Sequence, residues 1–140
     1  MNSDVPGVFL IDDSPLTTAW VSKILRARDD VRWLGSAASC AEAELGLAGQ
    51  NPDVLILDLK IPGESTTGFI QKLRAASRRP FILMLSGYVT SNDVQRALSA
   101  GAWGYLGKEV GPEELVEAIH KTARGEVVFS DSARRAIMDL

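Results

Sequence analysis

Four short apolar runs constrain this chain more than any other feature: VFLI (8–11), VLIL (54–57), FILML (81–85) and GYLG (104–107). The first three contain no polar residue. A strand with one wet face would interleave polar side chains, so uninterrupted runs predict strands covered on both faces, as in a parallel sheet. A weaker run, VRWLG, lies at 31–35. Helical patterns separate the runs. Thr17, Val21, Ile24 and Leu25 fall at i, i+4, i+7 and i+8, and Phe69, Leu73 and Ala76 share a face. So do Val94, Ala97 and Leu98, with Gly101 as a stop, and Leu115, Ala118, Ile119 and Thr122 between Pro112 and Gly125. Ser39-Cys40-Ala41-Glu42 has capping-box spacing before Leu45. Strand then helix, five times over, predicts an α/β domain: a doubly wound five-stranded parallel sheet with right-handed crossovers and helices on both faces.

Length and charge narrow the function. A chain of 140 residues predicts one domain. Fifteen basic against eighteen acidic residues give net −3, which argues against nucleic-acid binding through bulk positive charge. One cysteine, Cys40, excludes an internal disulfide, and one histidine, His120, leaves no Cys/His zinc cluster. No apolar run reaches the roughly 18 residues of a membrane span. The start, MNSDVPG, lacks the pattern of a signal peptide, so the expected compartment is the cytoplasm. After Gly125 the alternation breaks. Residues 1–125 therefore read as the domain and 126–140 as a C-terminal extension. Glu126–Ser130 reads as extended, with Ser130 or Asp131 capping a final helix through Leu140. This extension reads as the beginning of something longer.

The polar residues after each run carry the chemistry. VFLI is followed by Asp12 and Asp13, VLIL by Asp58, FILML by Ser86 and GYLG by Lys108. In an open parallel sheet, ligands bind outside the carboxyl ends of the strands. Four strands thus deliver three carboxylates, a hydroxyl and an ammonium to one edge. Clustered carboxylates repel unless a cation sits among them, and oxygen-only donors suit a hard ion such as Mg²⁺. An Asp carboxylate can attack phosphorus to form an aspartyl phosphate. Mg²⁺ and Lys108 would neutralise the phosphoryl oxygens, and Ser86 could donate to one. Asp13 or Ser14, before Pro15, could instead serve only as a helix cap.

These residues resemble the receiver domain of two-component response regulators. The resemblance spans roughly residues 8 to 125 and rests on IDDSP (11–15), LILDLKIPG (55–63), MLSG (84–87) and GYLGKE (104–109). It implies a flavodoxin-like sheet of order 2-1-3-4-5, with Asp58 as phosphoacceptor. Asp12, Asp13, Asp58 and the backbone carbonyl of Lys60 would hold Mg²⁺, while Ser86 and Lys108 would contact the phosphoryl group. Tyr105 matches the family's switch aromatic, which turns inward as the Ser/Thr moves toward the phosphate. Residues 100–130 are similar to the NarL/FixJ type, in which a LuxR-like helix-turn-helix normally follows. The implied partners are a sensor histidine kinase, an output DNA-binding domain in a longer protein and a phosphorylation-dependent second copy. The chain itself is expected to bind neither DNA nor membrane, and to act as a switch supporting its own phosphorylation and dephosphorylation rather than as an enzyme. A stand-alone receiver is the alternative.

Two other classes compete. A phosphatase of the haloacid dehalogenase type wants a second acid two residues after its nucleophile, where this chain has Lys60. A non-phosphorylated pseudo-receiver would usually lack one of the key residues, and all are present. Departures from the family also matter. Glu109, not proline, follows Lys108, so no cis-proline is expected there. Gly107 replaces a bulkier residue and should loosen that strand end. Lys60 and Tyr88, each two residues beyond a site residue, should influence dephosphorylation. Trp103 is either an exposed interface anchor or a partly buried edge residue. Trp20, Trp33 and Cys40 read as packing residues. His120 reads as a solvated helix residue, and Arg78-Arg79 before Pro80 as a solvated turn.

Overall fold

The structure is a computed structural model and describes residues 5–77 and 79–138. In chain order these form β1 (Gly7–Ile11), α1 (Pro15–Arg26), β2 (Arg32–Ala37), α2 (Cys40–Gly46), β3 (Val54–Leu57), α3 (Thr66–Ala76), β4 (Phe81–Ser86), α4 (Ser91–Ala100), β5 (Gly104–Gly107), α5 (Pro112–Ala123) and α6 (Asp131–Met138). The strands make one all-parallel sheet of order β2-β1-β3-β4-β5. The predicted α/β architecture holds, and the apolar runs coincide with the strands to within a residue. Among the described residues no helix is long and apolar enough to cross a membrane.

Successive side chains of a strand point to opposite faces, so each uninterrupted run feeds two cores at once. Val8, Leu10, Val54, Ile56, Leu83, Leu85 and Leu106 pack with Val21 and Leu25 of α1 and with Leu115, Val116 and Ile119 of α5. Phe9, Ile11, Leu55, Leu57, Ile82, Met84 and Tyr105 pack with α2, α3, α4 and α6 on the other face. Each fully buried Val, Leu or Ile stabilises the fold by about 1.5–3 kcal/mol, so the three central strands anchor everything else.

β2 begins and ends later than the run at 31–35, because a bulge intervenes. Val8 faces Trp33 but Phe9 faces Gly35, with Leu34 skipped. Gly35 has φ +133°, a conformation that a side chain would strain. Helix ends follow local chemistry. Ser14 caps α1 by accepting from the Thr17 N–H at 3.3 Å, which leaves Asp13 out of the cap. Thr90 and Asp93 form a reciprocal capping box on α4. At α2 the expected box is only half made: Ser39 accepts from the Glu42 N–H, but Glu64, from the β3–α3 loop, takes the Cys40 and Ala41 N–H groups at 2.7 and 3.1 Å.

The C-terminal extension folds back. Phe129 makes a parallel bridge with Tyr105, extending the sheet past β5. Ser130 caps α6 by accepting from the Ala133 N–H, and α6 packs on α4 and β5. The last two residues of the expected helix, Asp139 and Leu140, lie outside the described residues, as does Arg78. Arg79 pairs with Asp53 at 3.1 Å. Among the described residues the cis peptide is Arg79–Pro80, not a bond after Lys108. Trp103 is half-buried, its ring tilted against Phe81 at 5.1 Å. Trp20 and Trp33 pack on the α1/α5 core as expected. His120 departs from the sequence reading: its Nε2 lies 3.0 Å from Asp30, tying α5 to the α1–β2 loop.

Candidate functional site

Asp12, Asp58 and Lys108 each follow directly on a strand and add one hydrogen bond to its ladder. The Asp12 N–H donates to the Ala37 carbonyl at 3.1 Å, the Asp58 N–H to Ile11 at 3.0 Å and the Lys108 N–H to Ser86 at 2.9 Å. The ladder therefore fixes the backbone positions from which the side chains leave the sheet. Asp12, Asp13 and Asp58 gather so that one ligand atom from each lies within 4.8 Å of the others. Asp12 and Asp58 are buried, whereas Asp13 is exposed.

Lys108 closes the cluster. Its Nζ lies 3.0 Å from Asp12 and 3.5 Å from Asp58. Asp12 Oδ1 also accepts from the Ser14 N–H at 2.8 Å. Asp58 Oδ1 is buried with no hydrogen-bond donor among the described residues. Burial, and next the negative charge of Asp12, hold the Asp58 carboxyl above its ordinary value even though Lys108 pulls it down. Burial works against the charged form of Lys108 as well, but Asp12 and Asp58 outweigh it and leave the ammonium more basic than usual. One cation against three carboxylates leaves the edge electron-rich. An all-oxygen donor set with an unsatisfied buried carboxylate oxygen fits a hard divalent cation such as Mg²⁺.

Ser86 and Tyr105 adjoin this edge from the α4 side. Ser86 is buried, and its Oγ accepts from the Tyr88 N–H at 3.0 Å. Tyr105 lies inward with no exposed surface, and its hydroxyl donates to the Tyr88 carbonyl. Burial pushes its phenol up to about 12, although Ser86 acts in the other direction. Tyr105, Tyr88 and Ser86 are thus joined at the β4–α4 turn. The Lys60 head group leaves the cluster: it lies 3.7 Å from Asp93 on α4 and 4.2 Å from the centre of the Tyr88 ring.

Two residues that shape the site, Thr66 and Glu64, escape the sequence reading, and a third, Ser130, is legible there only as a helix cap. Thr66, buried at the start of α3, donates its hydroxyl to the Leu59 carbonyl and braces the turn after Asp58. Glu64 ties the same loop to α2, and its carboxyl is held below the usual range by the Cys40 N–H. Ser130 accepts from the Gly107 N–H at 3.0 Å, so the strand end expected to be loose is pinned. Of these roles only that of Thr66 carried a usable signal, as a β-branched polar residue next to the Ser65 cap. The other two act across the fold.

The chain matches the family described as response regulator receiver domain over residues 8–120. It is 35% identical over 132 residues to the nitrate/nitrite response regulator protein NarL of Escherichia coli strain K12, covering 94% of this chain and 61% of that protein. A homologue from Haemophilus influenzae is 34% identical over 132 residues, with 94% and 64% covered. The chain thus spans less than two thirds of these relatives' length. A LuxR-family two-component response regulator from Aurantimonas sp. SI85-9A1 superposes with TM-score 0.86 at 26% identity, covering 96% of each chain. The strand order, the acidic edge and these matches agree: this chain belongs to the response regulator receiver domain family and is similar to its NarL- and LuxR-type members.

Proposed function

We propose that Asp58 is a phosphoacceptor and that this chain is the receiving half of a two-component switch. The observation that carries the reading is the buried Asp58 carboxylate, one oxygen without a donor, set between two further aspartates and one lysine. Asp12, Asp13, Asp58 and the Lys60 carbonyl would hold Mg²⁺, which supplies positive charge for the phosphoryl oxygens. An Asp58 oxygen attacks the donor phosphorus. The P–O bond to Asp58 forms as the bond to the donor breaks, and its electron pair leaves with the donor group. Lys108 turns from the carboxylates to the transferred oxygens, and Ser86 gives up its contact with the Tyr88 N–H to donate to one of them. Tyr105, held inward, follows the β4–α4 turn.

In this reading the donor is a phosphohistidine of a sensor kinase, with small acyl phosphates as substitutes. Leu16, 85% exposed at the rim beside Lys108, offers an apolar contact for a protein donor. The receiver, residues 1–125, would control a DNA-binding output domain in a longer cytoplasmic protein through 126–140, with the phosphorylated form able to pair with a second copy. A net charge of −3 is consistent with control through protein contacts rather than DNA contact by this chain. Intact-mass spectrometry after acetyl phosphate and Mg²⁺ tests the reading. One added phosphoryl group is expected, abolished by chelator and by Asp58→Asn. Equal labelling of Asp58→Asn would refute the assignment.

A further inference from the structure

We propose that the C-terminal segment, residues 126–138, is a positioning element for the phosphoryl site, acting through Tyr105. The inference rests on the reading of Asp58 as phosphoacceptor. Both backbone groups of Tyr105 are taken by the segment: its N–H donates to the Val128 carbonyl at 3.0 Å, and its carbonyl accepts from the Ser130 N–H at 3.1 Å. The fit is close. A Cβ on Gly104 would lie 2.6 Å from the Val128 carbonyl oxygen, so only glycine lets the segment approach. Ser130 is buried, and its hydroxyl meets Gly107 N–H, Ala133 N–H and the Ser132 hydroxyl.

The side chain of Tyr105 faces the same element. Ala133 and Ala136 of α6 lie in the core cluster that holds the Tyr105 ring together with Val94 and Ala97 of α4. With α6 seated, Tyr105 has no exposed surface. Unseating α6 would open the side of the core that Ala133 and Ala136 close around the Tyr105 ring, so the seated segment favours the inward ring. The inward ring in turn holds the Tyr88 carbonyl, and Tyr88 N–H holds Ser86. Seating the segment thus biases the turn that carries Ser86. By reciprocity, whatever favours the inward ring at the phosphoryl site must seat the segment more firmly, and by the same factor.

The test uses the full chain with beryllofluoride and Mg²⁺ as a phosphoryl mimic. Ala133→Asp places a charge at a fully buried position of the terminal helix and should unseat the segment. Gly104→Ala attacks the contact from the sheet side, and Ala133→Ser is the conservative control. Amide exchange at Tyr105 and Ser130 reports seating, and Trp20 fluorescence reports mimic binding. The expected result is loss of protection at both amides with mimic affinity weakened about fivefold or more, the lower range of measured allosteric couplings. Ala133→Ser should retain both properties. Unchanged affinity in an unseated variant would overturn the proposal while leaving the phosphoacceptor reading intact. Undiminished protection in both disruptive variants would also overturn it. A wild-type chain that fails to bind the mimic would instead refute the phosphoacceptor reading, and the coupling with it.

Discussion

Replacing Lys108 with methionine keeps an unbranched apolar stem and removes the terminal charge. The wild-type ammonium lies 3.0 and 3.5 Å from two carboxylates that are almost wholly buried, while 28% of the lysine side chain reaches solvent. At an effective dielectric constant of about 20, each such pair is worth ~5 kcal/mol before desolvation. Desolvation of the ammonium offsets most of that gross attraction. Deleting one partner of a buried pair costs about 3–5 kcal/mol, and the lysine's exposure lowers this to roughly 2 kcal/mol. In a chain of this length, that corresponds to roughly 5–10 °C in Tm.

The loss should depend on pH. Burial and Asp12 already hold the Asp58 carboxyl high, and removing Lys108 raises it further. A carboxyl whose folded value exceeds its unfolded value brings no penalty below the unfolded value, and a growing one as pH rises toward the folded value. The stability gap between wild type and variant is therefore widest at neutral pH and narrows toward about pH 4. The raised lysine contributes fully at neutral pH, because its stabilisation is lost only as pH rises through the folded lysine value. Mg²⁺ should narrow the gap as well, and the variant should bind it more tightly, since no ammonium competes for the carboxylates. Thermal melts in chelator and in Mg²⁺, at neutral and acid pH, measure all of this. A gap indifferent to both pH and Mg²⁺ would show that Lys108 acts by packing its aliphatic stem, and the electrostatic argument would fail.

Further outcomes follow from the same geometry. Asp58→Asn removes one of three repelling carboxylates, so in metal-free buffer Tm should rise at neutral pH and stay level in acid, where the wild-type group is protonated; a loss at neutral pH would contradict the strain assigned to that carboxylate. Burial, with Glu64 adding to it, pushes the Cys40 thiol up to about 12. Iodoacetamide should therefore alkylate the native chain far more slowly than the urea-unfolded one, and equal rates would argue against this burial. Thr66→Val leaves the Leu59 carbonyl without its buried donor and should destabilise the fold by about 1–3 kcal/mol in urea titration, with Thr66→Ser restoring most of it. A neutral Thr66→Val would mean that the bond is not needed.

The edge is legible because four of its residues are each the first polar residue after an apolar run, with Asp13 directly behind Asp12. Where the run stops, the strand leaves the core, and in a parallel sheet all runs stop at the same edge. Asp12, Asp58, Ser86 and Lys108 were therefore readable from position alone. β2 was read two residues short because it is an edge strand with a bulge at Gly35, and its inward residues are not continuous. The contact of His120 with Asp30 spans 90 positions, and nothing near either residue announces it. The helix at 131–138 was visible as a helix, but its partner was not. Its buried residues are alanines, whose small apolar surface gives little periodic signal, and the α4 surface they meet is equally plain.

The seam between Phe129 and Tyr105 also has a colloidal consequence. β5 ends the sheet, and an uncovered terminal strand offers its amides and carbonyls as a template for another chain. Here the Tyr105 N–H, the Tyr105 carbonyl and the Gly107 N–H are all occupied by residues 128–130. At the opposite margin, β2 carries a bulge in its pairing with β1, which bends and twists that edge strand. The sheet is thus blunted on both sides by different means, one built into the strand and one borrowed from the tail. A chain shortened before Val128 would expose a flat, apolar-flanked strand and should become prone to strand-to-strand polymerisation. Residues 128–130 would then determine how long the protein stays in solution.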